Sequence, residues 1–166
     1  MVFRPHRHTV PDTGEFQDPM DNYAPPVFHD ELERALSEDR VSAMKVTPFS
    51  TITPGTTILE AMQLMVRNDV ACLMVAEGPR LLGIFTERDV LNKVTDRFEQ
   101  IKHLPVSLVM THDPAVVYDT DPPAQALNLM AIAGFRHVPI LNVNHEIVGI
   151  LGPRRVVAYL NQHLSA

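Results

Sequence analysis

Two strings set 66 residues apart decide the fold: Gly83-Ile84-Phe85-Thr86-Glu87-Arg88-Asp89 and Gly149-Ile150-Leu151-Gly152-Pro153-Arg154-Arg155. Each carries a glycine and an apolar pair straight into a helix-start signal. Working outward, Val41-Ser42-Ala43-Met44 is echoed by Ser107-Leu108-Val109-Met110, and Pro48 by Pro114. Ala61-Met62-Gln63-Leu64-Met65 is echoed by Ala126-Leu127-Asn128-Leu129-Met130. A period this long implies duplication of a whole supersecondary unit.

Each unit reads as strand, helix, strand, strand, helix. In the first, Phe49–Ile52 is a short strand ended by the turn Pro54-Gly55, and Thr57-Ile58-Leu59-Glu60 is a capping box. Ile58, Ala61, Met62, Met65 and Val66 are expected on one helical face. Val70–Val75 and Leu81–Phe85 form a hairpin around Ala76-Glu77-Gly78-Pro79-Arg80, and a helix runs from Glu87 to about Val94. The second unit places strands at Ala115–Tyr118, His137–Leu141 and Ile147–Leu151. Its helices are Pro123–Ala133, closed by Gly134, and Pro153 to about Gln162. Asp121 is the expected N-cap there, with Pro122 at the first helical position. Neither unit buries enough apolar surface alone, so the two pack into one α+β body.

The chain has 166 residues, 45% of them hydrophobic, and a net charge of −6. Wholesale disorder is excluded, and no apolar run reaches the length of about 18 residues that spans a bilayer. The charge is uneven. Residues 1–40 hold nine acids against four arginines, giving −5, whereas residues 41–166 come to −1. Residues 1–27 read as an acidic, proline-rich tail, and 28–40 as an amphipathic helix and linker docking on the body or on a partner subunit. Residues 41–100 and 101–166 are the two repeats. The near-neutral body argues against nucleic acid, which calls for clustered Lys and Arg. Met1–His8 lack the apolar core of a secretory signal, and Cys72 is the one cysteine, so a soluble cytoplasmic protein in a reducing compartment is expected.

Thr86-Glu87-Arg88-Asp89 carries the chemistry. A helix start presents free amides suited to phosphate, and a carboxylate in the first turn can accept both hydroxyls of a ribose. The same string is also an ordinary capping box, and alone it favours that reading. The weighting changes with the duplication. The chain resembles a CBS domain pair (tandem cystathionine-β-synthase-type domains, a Bateman module) over residues 41–162. The resemblance rests on the βαββα order, Pro54–Met62, Gly83–Asp89 and Gly134-Phe135-Arg136-His137-Val138-Pro139-Ile140.

That resemblance implies two βαββα repeats packed as a pseudo-twofold unit, and a regulatory module with no catalysis that binds AMP, ADP, ATP or S-adenosylmethionine. It implies that Asp89 holds the ribose diol and Thr86 a sugar or phosphate oxygen. The other repeat would complete the site with Asp113, Pro114, Ala115, Arg136, His137, Val138 and Pro139. Arg88, Arg136 and His137 would supply phosphate donors, and Ala115, Val138 and Pro139 apolar walls. The second string departs from the family pattern, with Gly152 for Thr or Ser and Arg155 for Asp. One competent site and one degenerate pocket follow, with Arg154 and Arg155 reading as solvated surface or as contacts to an anion. Family resemblance also implies a homodimer formed through the helices, and the lack of an effector domain implies a protein target.

Two other readings stand beside it. In one, the chain is a ligandless interaction and oligomerisation module in which Thr86 and Asp89 merely cap a helix. In the other, a small enzyme uses a metal on the tail, at Pro5-His6-Arg7-His8. No metal site and no required cofactor are expected, because that string lacks a third ligand nearby. Cys72 reads as a buried, inert thiol.

Overall fold

The computed structural model describes residues 26–164. All of the tail but Pro26 and Val27, with its Pro5-His6-Arg7-His8 string, lies outside the described residues. Helix α1 spans Glu31–Glu38, begun by Asp30, whose carboxylate accepts from the Glu33 amide at 2.7 Å. Ala35 is buried and Leu36 packs beside it against the second repeat, so the helix docks on the body. Thr57 caps α2 (Ile58–Asn68) with the expected box: its hydroxyl accepts from Glu60 N, and Glu60 accepts from Thr57 N at 3.0 Å. Ile58, Ala61 and Met65 of that helix are buried, but Val66 is 84% exposed and belongs to the outer face.

The first sheet runs β1 (Thr51–Ile52), β2 (Cys72–Glu77), β3 (Arg80–Thr86), β4 (Thr111–His112), and the second β5 (Val117–Tyr118), β6 (Val138–Leu141), β7 (Ile147–Leu151). In each, the first pair is parallel and the next antiparallel. Thr51 faces Met74 as Val117 faces Ile140, so the register itself repeats at 66. After β3, α3 (Glu87–Asp89) widens into a π turn over Val90–Val94, and a short helix α4 (Phe98–Ile101) follows. The second repeat carries α5 (Pro123–Ala133), closed by Gly134 at φ 69, and α6 (Pro153–Leu164).

Asp121 differs from its expected role. Pro122 takes the N-cap position and Pro123 the first helical one. The Asp121 carboxylate instead accepts from Tyr118 N at 2.8 Å and from Gln125 Nε2 at 3.0 Å, fastening the strand end to the helix.

The two repeats exchange their opening segments. Val41, Met44 and Val46 are buried with Val117, Ala126, Val138, Ile140 and Leu151, whereas Val106, Val109 and Met110 are buried with Ile58, Leu73, Val75 and Phe85. Val46 O accepts from Ile150 N at 3.0 Å, beside β7, as β4 lies beside β3. This exchange explains the repeated glycines. A Cβ on Gly83 would lie 2.7 Å from Thr111 O, and one on Gly149 would lie 2.5 Å from Val46 Cγ2. Each crossing segment therefore lies where only glycine leaves room. A third cluster, Cys72, Met74 and Ile84 with Phe49, Ile147 and Ile150 against it, joins the two sheets. Burial pushes the Cys72 thiol up to about 12, so it stays protonated and unreactive.

Candidate functional site

The cleft begins where β3 ends. Thr86 is the N-cap, and its hydroxyl accepts from the Asp89 amide at 3.3 Å. Asp89 returns two bonds through Oδ2, accepting from Thr86 N at 3.0 Å and from Thr86 Oγ1 at 2.7 Å. Its Oδ1 accepts from Lys93 Nζ at 2.6 Å and Thr111 Oγ1 at 2.8 Å. A carboxylate offers about four lone-pair positions, and here all four are used. Asp89 is 4% exposed, a burial tolerated only because it is paired and bonded throughout.

Around this node lies a cleft of about 160 Å³ lined by Thr86, Arg88, Asp89, Pro114, Ala115, Arg136 and His137. These seven residues were all expected from the sequence. Ala71, Ile84, Glu87, Thr111 and Phe135 also line it and were not. Three expected residues lie elsewhere. Asp113 is exposed and outside the lining, while Val138 and Pro139 are buried in β6 and do not reach the cleft. Walls of Ala71, Ile84, Pro114, Ala115 and Phe135 give an apolar slot, and Arg88 and Arg136 stand exposed at it with guanidinium donors. Drug-sized pockets run from about 300 Å³, so the cleft as it stands is smaller than a pocket for a ligand of that size.

A second cleft of about 450 Å³ is lined by Pro48, Phe49, Gly152, Arg154 and Arg155, among others, and shares Ala71, Glu87, Arg136 and His137 with the first. Its chemistry is different. Arg155, at the position equivalent to Asp89, is half-buried; its Nη1 donates to Ile150 O at 2.9 Å and its Nη2 to Pro48 O. Arg155 is therefore not solvated surface: it clamps the segment that leads into β1. Arg154 is exposed. A Cβ on Gly152 would lie 3.2 Å from His137 Cδ2, so the imidazole fills the space that a Thr or Ser side chain would need.

Burial holds His137 below the ordinary histidine range, with Glu87 opposing and Arg136 reinforcing the shift. The unfolded chain thus takes up this proton first, at about pH 6.5, and stability is lost as pH falls through that value. The denaturant midpoint is expected to be lower at pH 5.5 than at pH 7.5, and His137→Gln should narrow the gap. An unchanged gap in the variant contradicts the assignment.

Among the described residues no three His, Cys, Asp or Glu side chains could hold a metal ion together, and no helix is long and apolar enough to cross a membrane. The family model that matches is the CBS domain, at residues 41–96 and again at 101–162. An uncharacterized 17.7 kDa protein of Acidianus ambivalens is 32% identical over 126 residues, which is 75% of each chain. The Arabidopsis thaliana CBS domain-containing protein CBSCBSPB5 is 32% identical over 115 residues, 69% of this chain. The chain spans about a fifth of the length of that relative, 21%. A CBS domain protein of Pyrobaculum aerophilum, solved in complex with AMP, superimposes with a TM-score of 0.67 at 28% identity, covering 76% of this chain and 99% of that one. CBSX2 in complex with AMP gives 0.64 at 26%, covering 74% and 96%. With both repeats matched, this chain belongs to the CBS-domain family and carries the domain twice.

Proposed function

We propose that the chain is a regulatory module without catalysis of its own, and that its first cleft takes one adenosine nucleotide, AMP in the first instance. The observation that carries this reading is a single cleft that combines Thr86 and Asp89 with two exposed arginines and an apolar slot. Ribose, phosphate and base each find a matching chemistry there. The AMP complexes of two similar proteins support the same class of ligand. Arg155 and Gly152 make the second cleft unsuited to a ribose diol, because a guanidinium has no acceptor.

The module acts in the cytoplasm as a homodimer and passes its signal to a protein target. Support for the dimer comes from the outer helix faces. Val66 and Leu91 are 84% and 70% exposed, and Ile132 and Val157, each 66 residues further on, are 86% and 65% exposed. An apolar face exposed twice in equivalent places suits a second copy of the same surface.

Thermal unfolding with AMP, ADP, ATP and S-adenosylmethionine tests the ligand. At a hundredfold excess over Kd, AMP should add about 2.7 kcal/mol, a rise of about 5–10 °C. Sedimentation of the same samples should give twice the chain mass. No rise with any of the four compounds overturns the reading. It would leave a ligandless interaction module, which the saturated Asp89 carboxylate on its own would favour.

A further inference from the structure

The saturation of Asp89 has a mechanical consequence. Thr111, one of its four donors, lies in β4, which belongs to the second repeat in sequence but pairs with β3 of the first. Thr111 lines the same cleft as Asp89, so a ligand hydroxyl directed at the carboxylate meets the Thr111 hydroxyl on arrival. The other three bonds are less replaceable. Those from Thr86 N and Thr86 Oγ1 belong to the helix cap. Lys93 Nζ is anchored further by Val109 O at 2.9 Å and Met110 O at 3.3 Å.

Beyond Thr111 the chain is poised to move. Asp113 holds φ 42, a left-handed conformation uncommon outside glycine, and Pro114 and Ala115 directly after it form a wall of the cleft. The segment is held to β3 by two register pairs, Gly83–His112 and Ile84–Thr111, and by Asp113 N, which donates to Leu82 O at 3.3 Å.

We propose that Thr111 is a latch: a ribose hydroxyl binds Asp89 by displacing Thr111 Oγ1, and this release frees the end of the crossing segment, residues 111–113, beyond the two carbonyls that Lys93 holds. Occupancy of the cleft is thereby converted into a change in the connection between repeats. Thr111 competes with the ligand for one acceptor, so it weakens binding while holding the empty state together. The inference rests on the nucleotide reading of the cleft, and it names the residue that couples binding to movement.

The test uses the full chain. Calorimetric titration with AMP should show about tenfold tighter binding to Thr111→Val than to the wild type, and wild-type affinity in Thr111→Ser, which keeps the hydroxyl. Amide hydrogen exchange on the wild type needs no variant: saturating AMP should speed exchange at residues 111–113 at least threefold while slowing it at 86–89. If AMP binds the wild type but Thr111→Val binds equally or more weakly, or if AMP leaves exchange at 111–113 unchanged or slower, the latch is overturned and the nucleotide site stands. If none of AMP, ADP, ATP and S-adenosylmethionine binds the wild type, site and latch fall together.

Discussion

Asp89→Ala is expected to lower the melting temperature by about 10 °C and to remove the rise that AMP should produce. The carboxylate receives four hydrogen bonds inside the protein, two on each oxygen. Losing it removes the carboxylate half of the capping box on α3, leaves the Thr86 amide without its partner and deprives Lys93 of its ion pair. Lys93 is 39% exposed, so water recovers part of that loss, and the pair alone does not decide the total. A net cost of about 3 kcal/mol follows from bonds to a buried charged group, and about 2–4 °C per kcal/mol applies at this chain length. Asp89→Asn keeps the shape and one acceptor oxygen, so it should fall between the two. Circular dichroism melts with and without AMP check both effects. A drop under 3 °C, or an AMP-induced rise that survives in Asp89→Ala, contradicts the role given to this residue.

Gly149→Ala is expected to be more damaging still, costing more than about 3 kcal/mol and often leaving insoluble protein. Its Cβ would stand 2.5 Å and 2.6 Å from Val46 Cγ2 and Cβ, and 2.9 Å from Val46 O. Val46 is buried in the second core, and its branched side chain has few rotamers to escape into. Backbone must move instead, and the displaced backbone includes the carbonyl that accepts from Ile150 N. Overpacking of a close-packed interior is among the few changes that exceed the usual mutational cost. Gly55→Ala is the matched control, because nothing lies within 4 Å of a Cβ there. Urea unfolding of the two variants should separate them clearly. Equal midpoints would mean that the exchange of opening segments is not tight.

Those glycines also mark how far the fold could be read from the chain. Gly83 and Gly149 announce a duplication on sight, and the two Thr capping boxes at Thr57 and Thr86 form as written. Local signals of this kind depend on residues three or four apart, and such pairs meet whenever a helix forms. What they forbid nearby is a different matter. That glycine is needed because Thr111 or Val46 crosses there depends on contacts 28 and 103 residues away in the sequence, which no local pattern encodes.

The site divides along the same line. Thr86, Arg88 and Asp89 fall within one four-residue string, and the resemblance supplied Pro114, Ala115, Arg136 and His137; all seven line one cleft. Lys93 and Thr111 escaped notice because their importance comes from the buried carboxylate they reach. A lysine four residues after Asp89 was the available hint, since that spacing puts both on one helical face. Val66 was misplaced because helical periodicity gives the width of an apolar stripe but not what covers its edge. For Arg155, the charge suggested solvent, whereas two free backbone carbonyls within reach gave it partners instead.

Isothermal titration of AMP into the intact protein measures the proposed single nucleotide site most directly. The expected isotherm has one AMP per chain. It should disappear in Asp89→Ala and survive in Arg155→Ala with its stoichiometry unchanged. Two AMP per chain, or equal loss of binding in both variants, would contradict the assignment of Thr86 and Asp89 as the sole competent site.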